Sequence, residues 1–448
     1  MNKKILRKYD IRGIVGEDIT EDVALELGKS FGTHMVRQGA KHVTAGRDGR
    51  LTSEAFEAVM IEGILSTGID VTDIGLCPVP VLYFSLFNLD VDGGIMVTAS
   101  HNPPEFNGFK VCRDKSTIFG DEIQELGRIA DSGEFAKGKG SLTTHDLVKD
   151  YKQYLEDNIH IPGGLKVAVD AGNGTAGFVV VPVLKALGCE VTPFFCDVDG
   201  RFPNHHPDPT LPENLTELID AVTGSDIPIG LAYDGDSDRL GVIDEHGEII
   251  WGDRLMIIFS RALLEEHPGA TIIGEVKCSQ HMYNDIEKHG GNGIMWKTGH
   301  SLIKSKMKET GALLAGEMSG HLFFADRYFG YDDAIYASLR LLEILAKTGK
   351  TPCELLADVP KSFVTPEIRA ECTDEKKFDI VQRATDFFKS EYEVNDVDGA
   401  RVKFPHGWGL VRASNTQPVL VLRFEADTEE HLEEIKSLVE SKVAELSK

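Results

Sequence analysis

Apolar and polar positions along the chain fall into one order, strand, loop, helix, strand, that recurs three times. In residues 41–74 the run His42-Val43-Thr44-Ala45 predicts a strand, residues 55–65 carry apolar side chains at helical spacing, and residues 70–74 predict a second strand. Residues 166–195 repeat the order, with a strand at 166–169, a glycine-rich loop, a helix running through Leu187 and a strand at 190–195. Residues 271–296 repeat it again: strand 271–276, helix 280–289, strand 293–296. Strands alternating with helices specify mixed α/β domains with largely parallel pairing, and three such units specify three related domains. The remainder is patterned differently. A helix at 376–390 precedes strands at 400–404, 408–413 and 419–425, and a charged helix at 429–446 follows them. The predicted fold class is therefore α/β: three related mixed α/β domains plus a C-terminal α+β domain, divided at residues 1–144, 145–249, 250–360 and 361–448.

The length of 448 residues agrees with three or four domains, and 42% apolar with 27% charged residues is a globular composition. No stretch reaches the ~18 unbroken apolar residues of a membrane span, and Lys3, Lys4 and Arg7 are followed by Tyr9-Asp10 rather than by an apolar signal region. Seven cysteines without a C-x-x-C pair predict reduced thiols and a cytoplasmic location. The net charge of −25 repels phosphate backbones and anionic lipid, which excludes nucleic acid and membrane as partners. Any phosphate site has to be built locally, from a few Arg, Lys and backbone N–H groups.

Several loops carry candidate chemistry. Val97-Thr98-Ala99-Ser100-His101-Asn102-Pro103-Pro104 follows the apolar run of residues 94–97. It reads either as a plain Ser/Asn turn stopped by two prolines, or as a stiff loop holding Ser100 as a nucleophile or phosphoserine. Lys110, ten residues on, can supply positive charge to a phosphoryl group there. A hydrolase triad is the competing chemistry, and its G-x-S-x-G elbow is absent.

Asp234-Gly235-Asp236-Ser237-Asp238-Arg239 lies between strand-like runs at 228–232 and 240–244. Three carboxylates at alternating positions form a hard-oxygen cluster suited to Mg2+, with waters or phosphate oxygens completing the shell. An EF-hand is the rival, with Glu245 at the twelfth position. Arg239 takes the sixth place, however, where that loop needs glycine, and the flanks read as strands. Gly172, Gly174 and Gly177 fit G-x-G-x-x-G before a helix, with Asp197 about twenty residues on, so an NAD-dependent dehydrogenase is a second function class.

Gly316-Glu317-Met318-Ser319-Gly320-His321 offers a carboxylate and a hydroxyl for sugar hydroxyls. Arg412, Ser414, Asn415 and Thr416, before Pro418, combine a guanidinium, two hydroxyls and an amide at a turn, a fit for phosphate. Each is equally a turn between strands when read alone.

Together with Tyr9-Asp10-Ile11-Arg12-Gly13, these serine, acidic, Glu317 and Arg412 loops resemble the phosphomannomutase/phosphoglucomutase branch of the α-D-phosphohexomutase superfamily, over essentially the whole chain. The resemblance implies four domains around one central cleft, each contributing a loop, and makes the Gly172 turn part of the scaffold. It implies Ser100 as a phosphoserine and Asp234, Asp236 and Asp238 as Mg2+ ligands with Ser100. His101, Lys110 and Arg239 would surround the transferring group. Glu317 and Ser319 would grip sugar hydroxyls, and Arg412, Ser414, Asn415 and Thr416 the non-reacting phosphate. Tyr9, Arg12, Lys277, Thr298, Gly299 and His300 match further cleft positions, and His321, with Arg12 and Lys110 nearby, is the expected general acid and base. Ala99 stands where many relatives have Gly. The implied reaction interconverts hexose 1- and 6-phosphates of mannose and glucose through a hexose 1,6-bisphosphate, which is both intermediate and activator. The expected partner is a small phosphosugar, and the expected assembly a monomer or small homo-oligomer. A non-catalytic phosphosugar sensor is a third class, at odds with an intact Ser100 and three aspartates.

Overall fold

A computed structural model describes residues 2–415 and 417–447 of the protein. Three sheets are mixed and a fourth is antiparallel throughout. The first orders its strands Ile11–Ile14, Phe106–Arg113, Gly93–Val97, His42–Arg47, Asp70–Leu76 and Leu142–Thr144, with Ser116–Thr117 paired to Phe106–Arg113. The second runs Ile249–Ile250, Leu240–Ile243, Gly230–Tyr233, Lys166–Asp170, Glu190–Phe194, and the third Asn292–Trp296, Thr271–Glu275, Leu314–Gly316, Leu322–Phe324. In each, the inner strands pair in parallel, joined by crossover helices such as Ser53–Leu65, Gly177–Ala186 and Gln280–Lys288.

Pairing is less parallel than alternation alone predicts, and the exception has a pattern. Gly93–Val97 returns antiparallel as Phe106–Arg113, Gly230–Tyr233 as Leu240–Ile243, and Leu314–Gly316 as Leu322–Phe324. Each return encloses one of the serine, acidic and Glu317 loops. All three loops therefore leave the carboxyl end of a parallel-sheet strand, where open α/β sheets place their ligands. In the fourth sheet the antiparallel pair Gly407–Ala413 and Val419–Ala426 encloses the Arg412 turn, backed by helices Asp374–Lys389 and Glu429–Leu446.

The core divides unevenly. One continuous apolar cluster runs from helix Val79–Asn88 of the first sheet's layer through Val179 and Leu231 to Phe259, Leu314 and Leu341, so the first three layers share buried surface. The C-terminal unit has its own core around Phe388, Val402, Phe424 and Val439, and meets the third unit through the small group Val276, Trp408 and Leu410. Among the described residues, no helix is long and apolar enough to cross a membrane.

Candidate active site

Ser100 lies three residues beyond the buried strand Gly93–Val97 and is itself buried, with φ +51°, a left-handed conformation that costs a non-glycine residue roughly 1–2 kcal/mol. The bonds around it explain why the cost is met. The Arg50 guanidinium, almost wholly buried, donates to the carbonyls of Ser100, Asn102, Pro103 and Phe106, and lies 3.3 Å from Asp48 Oδ2. A hydrogen bond involving a charged group contributes roughly 1.5–3 kcal/mol, so this clamp outweighs the strain. Thr98 Oγ1 accepts from Ser100 N and donates to Asp236 Oδ2 at 2.9 Å. Ser100 Oγ lies 2.7 Å from Asp234 Oδ2, to which it donates, and 3.0 Å from His101 Nδ1. Burial pushes the His101 imidazole well below its usual range, and Arg239 and Arg12 push the same way, so the ring is neutral at pH 7. Arg12 donates to Asn102 Oδ1 at 2.7 Å and pairs with Asp10, and so holds the loop from its other side.

The acidic loop is tied to the first and third units as well as to its own sheet. Asp236 O accepts from Val79 N, Ser237 O from Ala334 N, and Ser237 Oγ bonds Thr175 Oγ1. Gly235 is required here, because a Cβ on it would stand 2.5 Å from Ser100 O. Asp234, Asp236 and Asp238 are all buried, with ligand oxygens within 4.8 Å of one another. Asp234 Oδ1 accepts from the N–H groups of Asp238 and Arg239, while Lys110 pairs with Asp238 and lies 2.8 Å from Asp236 Oδ2. Burial, then repulsion from their neighbours, pushes the Asp234 and Asp236 carboxyls up; burial pushes Asp238 up too, but Lys110 and His321 reverse this and hold it low. Lys110 thus covers part of the negative charge. Asp236 Oδ1 and Asp238 Oδ1 are buried without hydrogen-bond partners. Three buried carboxylates that bring one oxygen each within 4.8 Å, two of them with an unpartnered oxygen, fit a hard divalent cation such as Mg2+.

The remaining predicted residues line a path from this loop to the Arg412 turn. His321 Nε2 accepts from Arg239 Nε at 3.1 Å, and its Nδ1 lies 3.7 Å from Asp238 Oδ1 and 3.1 Å from Asp332 Oδ2. His300 stacks on His321 with centroids 5.5 Å apart, and Tyr9 meets His300 edge-on at 6.4 Å. Gly299, at φ +132°, lets the Tyr9 ring approach, since a Cβ there would stand 2.8 Å from it. The Tyr9 hydroxyl donates to Thr298 O and accepts from Asn415 Nδ2. Glu317 accepts from Gly299 N and Ser319 Oγ. Lys277 donates to Glu367, and Arg412 Nε donates to Asp398 at 3.0 Å. Ser414 Oγ accepts from Gln417 N within the turn. Thr416 lies outside the described residues.

One alternative reading is corrected, and the rejection of another stands. The Gly172 turn has no open face for a pyrophosphate: a Cβ on Gly174 would strike Gly235, and Thr175 bonds Gly235 O and Ser237 Oγ, so the turn buttresses the acidic loop. Glu245 does not join the three aspartates. The chain reverses into a hairpin at Asp244, which carries Glu245 to His246 and Cys353 instead. Sequence reading missed Arg50, Asp332, Asp398 and Glu367. No motif marks them, because each meets its partner from another segment of the chain; a buried charge aimed at a site loop is the signal that finds them.

Successive family models match the chain: Phosphoglucomutase/phosphomannomutase, alpha/beta/alpha domain I over residues 3–137, domain II over 149–247, domain III over 251–363 and the C-terminal domain over 367–442. The chain is similar to a phosphomannomutase/phosphoglucomutase of Pseudomonas aeruginosa, 47% identical over 97% of this chain and 94% of that protein. It is 44% identical to a phosphoglucomutase of Neisseria meningitidis over 98% of this chain and 97% of that one. A solved structure of a phosphoglucomutase/phosphomannomutase family protein from Burkholderia thailandensis superposes with a TM-score of 0.94, at 42% identity, covering 100% of this chain and 98% of that one.

Proposed function

The chain belongs to the phosphoglucomutase/phosphomannomutase family and is a hexose-phosphate mutase, and from that premise we propose that Ser100 Oγ carries the phosphoryl group it transfers. One observation carries this reading: Ser100 Oγ sits 2.7 Å from Asp234 Oδ2, on a loop that Arg50 and Thr98 hold in one conformation. Asp234, Asp236, Asp238 and an oxygen on Ser100 would hold Mg2+, which supplies charge neutralisation to the phosphoryl oxygens.

The chain's own residues then divide the work. Arg412, Ser414, Asn415 and Thr416 bind the phosphate that does not react, and Lys277 faces the same charge. Glu317 and Ser319 take sugar hydroxyls. A substrate hydroxyl attacks the phosphorus on Ser100; the bond from phosphorus to Oγ breaks, and the hydroxyl proton passes to a base. His321 is proposed for that role: its Nδ1–H faces Asp332, and Nε2 would take the proton once the Arg239 donor turns to the transferring group. Lys110, Arg239 and Arg12 stabilise negative charge on the transferring group, and His101, neutral, hydrogen-bonds Oγ. The product of this half is a hexose 1,6-bisphosphate. It turns end for end, and Ser100 takes back the other phosphoryl group. Movement of the C-terminal unit, which meets the third unit through the Val276, Trp408 and Leu410 group and through polar bonds such as Arg401 to the Val276 and Cys278 carbonyls, would give it room to turn.

Mannose and glucose phosphates are both proposed substrates, and the cytoplasm is the proposed location, a reading that seven free cysteines support. A monomer or small homo-oligomer is the proposed assembly. The test is peptide mapping of the purified protein by mass spectrometry. The reading expects one phosphate on the peptide containing Ser100, and a phosphate found solely on another residue would overturn it.

A further inference from the structure

Glu245, which the metal loop leaves aside, stands in a second group of ligating side chains. The hairpin turn between Leu240–Ile243 and Ile249–Ile250 is fixed by Asp244, whose Oδ1 accepts from His246 N and Glu248 N while Gly247 takes φ +83°. That turn presents Glu245 and His246 side by side. Across from it is Cys353, on the single-turn helix Pro352–Leu355. Thr351 and Glu354 cap that helix reciprocally and so hold the thiol in place. A carboxylate oxygen of Glu245, a ring nitrogen of His246 and Cys353 Sγ lie within 4.8 Å of one another. Glu245 Oε2 is buried and has no hydrogen-bond partner, although a carboxylate oxygen removed from water costs free energy unless something pairs with it.

We propose that Glu245, His246 and Cys353 form a binding site for a zinc-class divalent cation that ties the second unit's hairpin to the third unit. The donor set selects the ion. A thiolate, an imidazole and a carboxylate are the ligands of Zn2+ and Co2+, with water as the fourth, whereas Mg2+ requires oxygen ligands. The acidic loop beside Ser100, all oxygen, makes the opposite choice, so one chain sorts two classes of cation. A free cysteine side chain carries a proton on sulfur at neutral pH. Cation binding forms the sulfur–metal bond and releases that proton to solvent. The bound cation would also satisfy Glu245 Oε2. Cys353 lies ten residues before strand Phe363–Val364, where the C-terminal sheet begins, so the staple sits just ahead of the link to the phosphate-clamp unit. The site is independent of the mutase reading.

The test uses the full chain in saturating Mg2+ with Co2+ as the probe. A thiolate-to-cobalt absorption band in the near ultraviolet is expected to saturate at one equivalent. It should vanish in Cys353→Ser, and His246→Ala should weaken Co2+ binding by about tenfold or more. Both variants are expected to keep wild-type turnover with Mg2+. No band, or a band that survives in Cys353→Ser, would overturn the proposal. A second measurement needs no variant: Zn2+ should slow alkylation of Cys353 by iodoacetamide while Mg2+ leaves it unchanged. Equal rates with and without Zn2+ would contradict the site.

Discussion

The serine and acidic loops are held differently from the Arg412 turn. Ser100 and its three aspartates are buried, cross-bonded among the first three units, and backed both by the apolar cluster that runs through those units and by the first unit's separate cluster around Ile95, Val97 and Phe109. Arg412 donates to Asp398, and Asn415 meets the tips of Lys8 and Tyr9, in a unit with its own core. Phosphoryl transfer depends on fixed, in-line placement, whereas an intermediate that must turn around needs a grip that releases. Fixed geometry belongs at the serine, and exchangeable polar contacts belong at the clamp. The ring series Tyr9, His300, His321 joins the two.

The sharpest way to break this division is Ser100→Ala. In the proposed mechanism both half-reactions pass through Oγ, so turnover of glucose 1-phosphate with bisphosphate activator present should fall by roughly three orders of magnitude or more, with the fold intact by circular dichroism. Near wild-type kcat would end the phosphoserine reading. Chelation comes next. EDTA should abolish activity and Mg2+ restore it, with Ca2+ a poor substitute, because three carboxylates leave places that water and phosphate oxygens must fill. Full activity after exhaustive chelation, or better rescue by Ca2+, would contradict the Mg2+ assignment.

Two substitutions set the halves against each other. Arg50→Lys removes the fork that holds four loop carbonyls, so kcat should drop and the melting temperature fall, by a loss of roughly 1.5–3 kcal/mol, while KM changes little. Arg412→Ala should do the reverse. KM should rise about ten- to a hundredfold, with a smaller fall in kcat as remote binding energy is lost. An unchanged KM in Arg412→Ala would place the phosphate clamp elsewhere. The smallest effect expected is between substrates. Glu317 and Ser319 are assigned to hydroxyls away from C2, so kcat/KM for mannose 1-phosphate and glucose 1-phosphate should differ by less than about a hundredfold, ~2.7 kcal/mol. A larger ratio would require a residue that contacts the C2 hydroxyl.

What the sequence made legible follows the same line. The serine and acidic loops are contiguous runs whose spacing states their chemistry, and the strand–helix order placed them at strand ends. Arg50 could not be read that way: fifty residues separate it from Ser100, and only folding brings its guanidinium under that loop. Asp332 beside His321 and Asp398 beside Arg412 likewise arrive from neighbouring turns with no motif. Glu245 shows the converse: its twelfth place matched an EF-hand, Arg239 at the sixth place argued against that loop, and the hairpin carries Glu245 away from the aspartates. Tertiary polar contacts leave little periodic trace, whereas buried faces and tight loops do.

The central claim is that the fixed half of the site carries and donates the phosphoryl group. Its most direct test is to incubate dephosphorylated enzyme with hexose 1,6-bisphosphate labelled with phosphorus-32, digest it, and follow the label. The account predicts label on the peptide containing Ser100, lost when unlabelled hexose phosphate is added, and absent in Ser100→Ala. Label that never reaches that peptide, or that persists unchanged in Ser100→Ala, would contradict it.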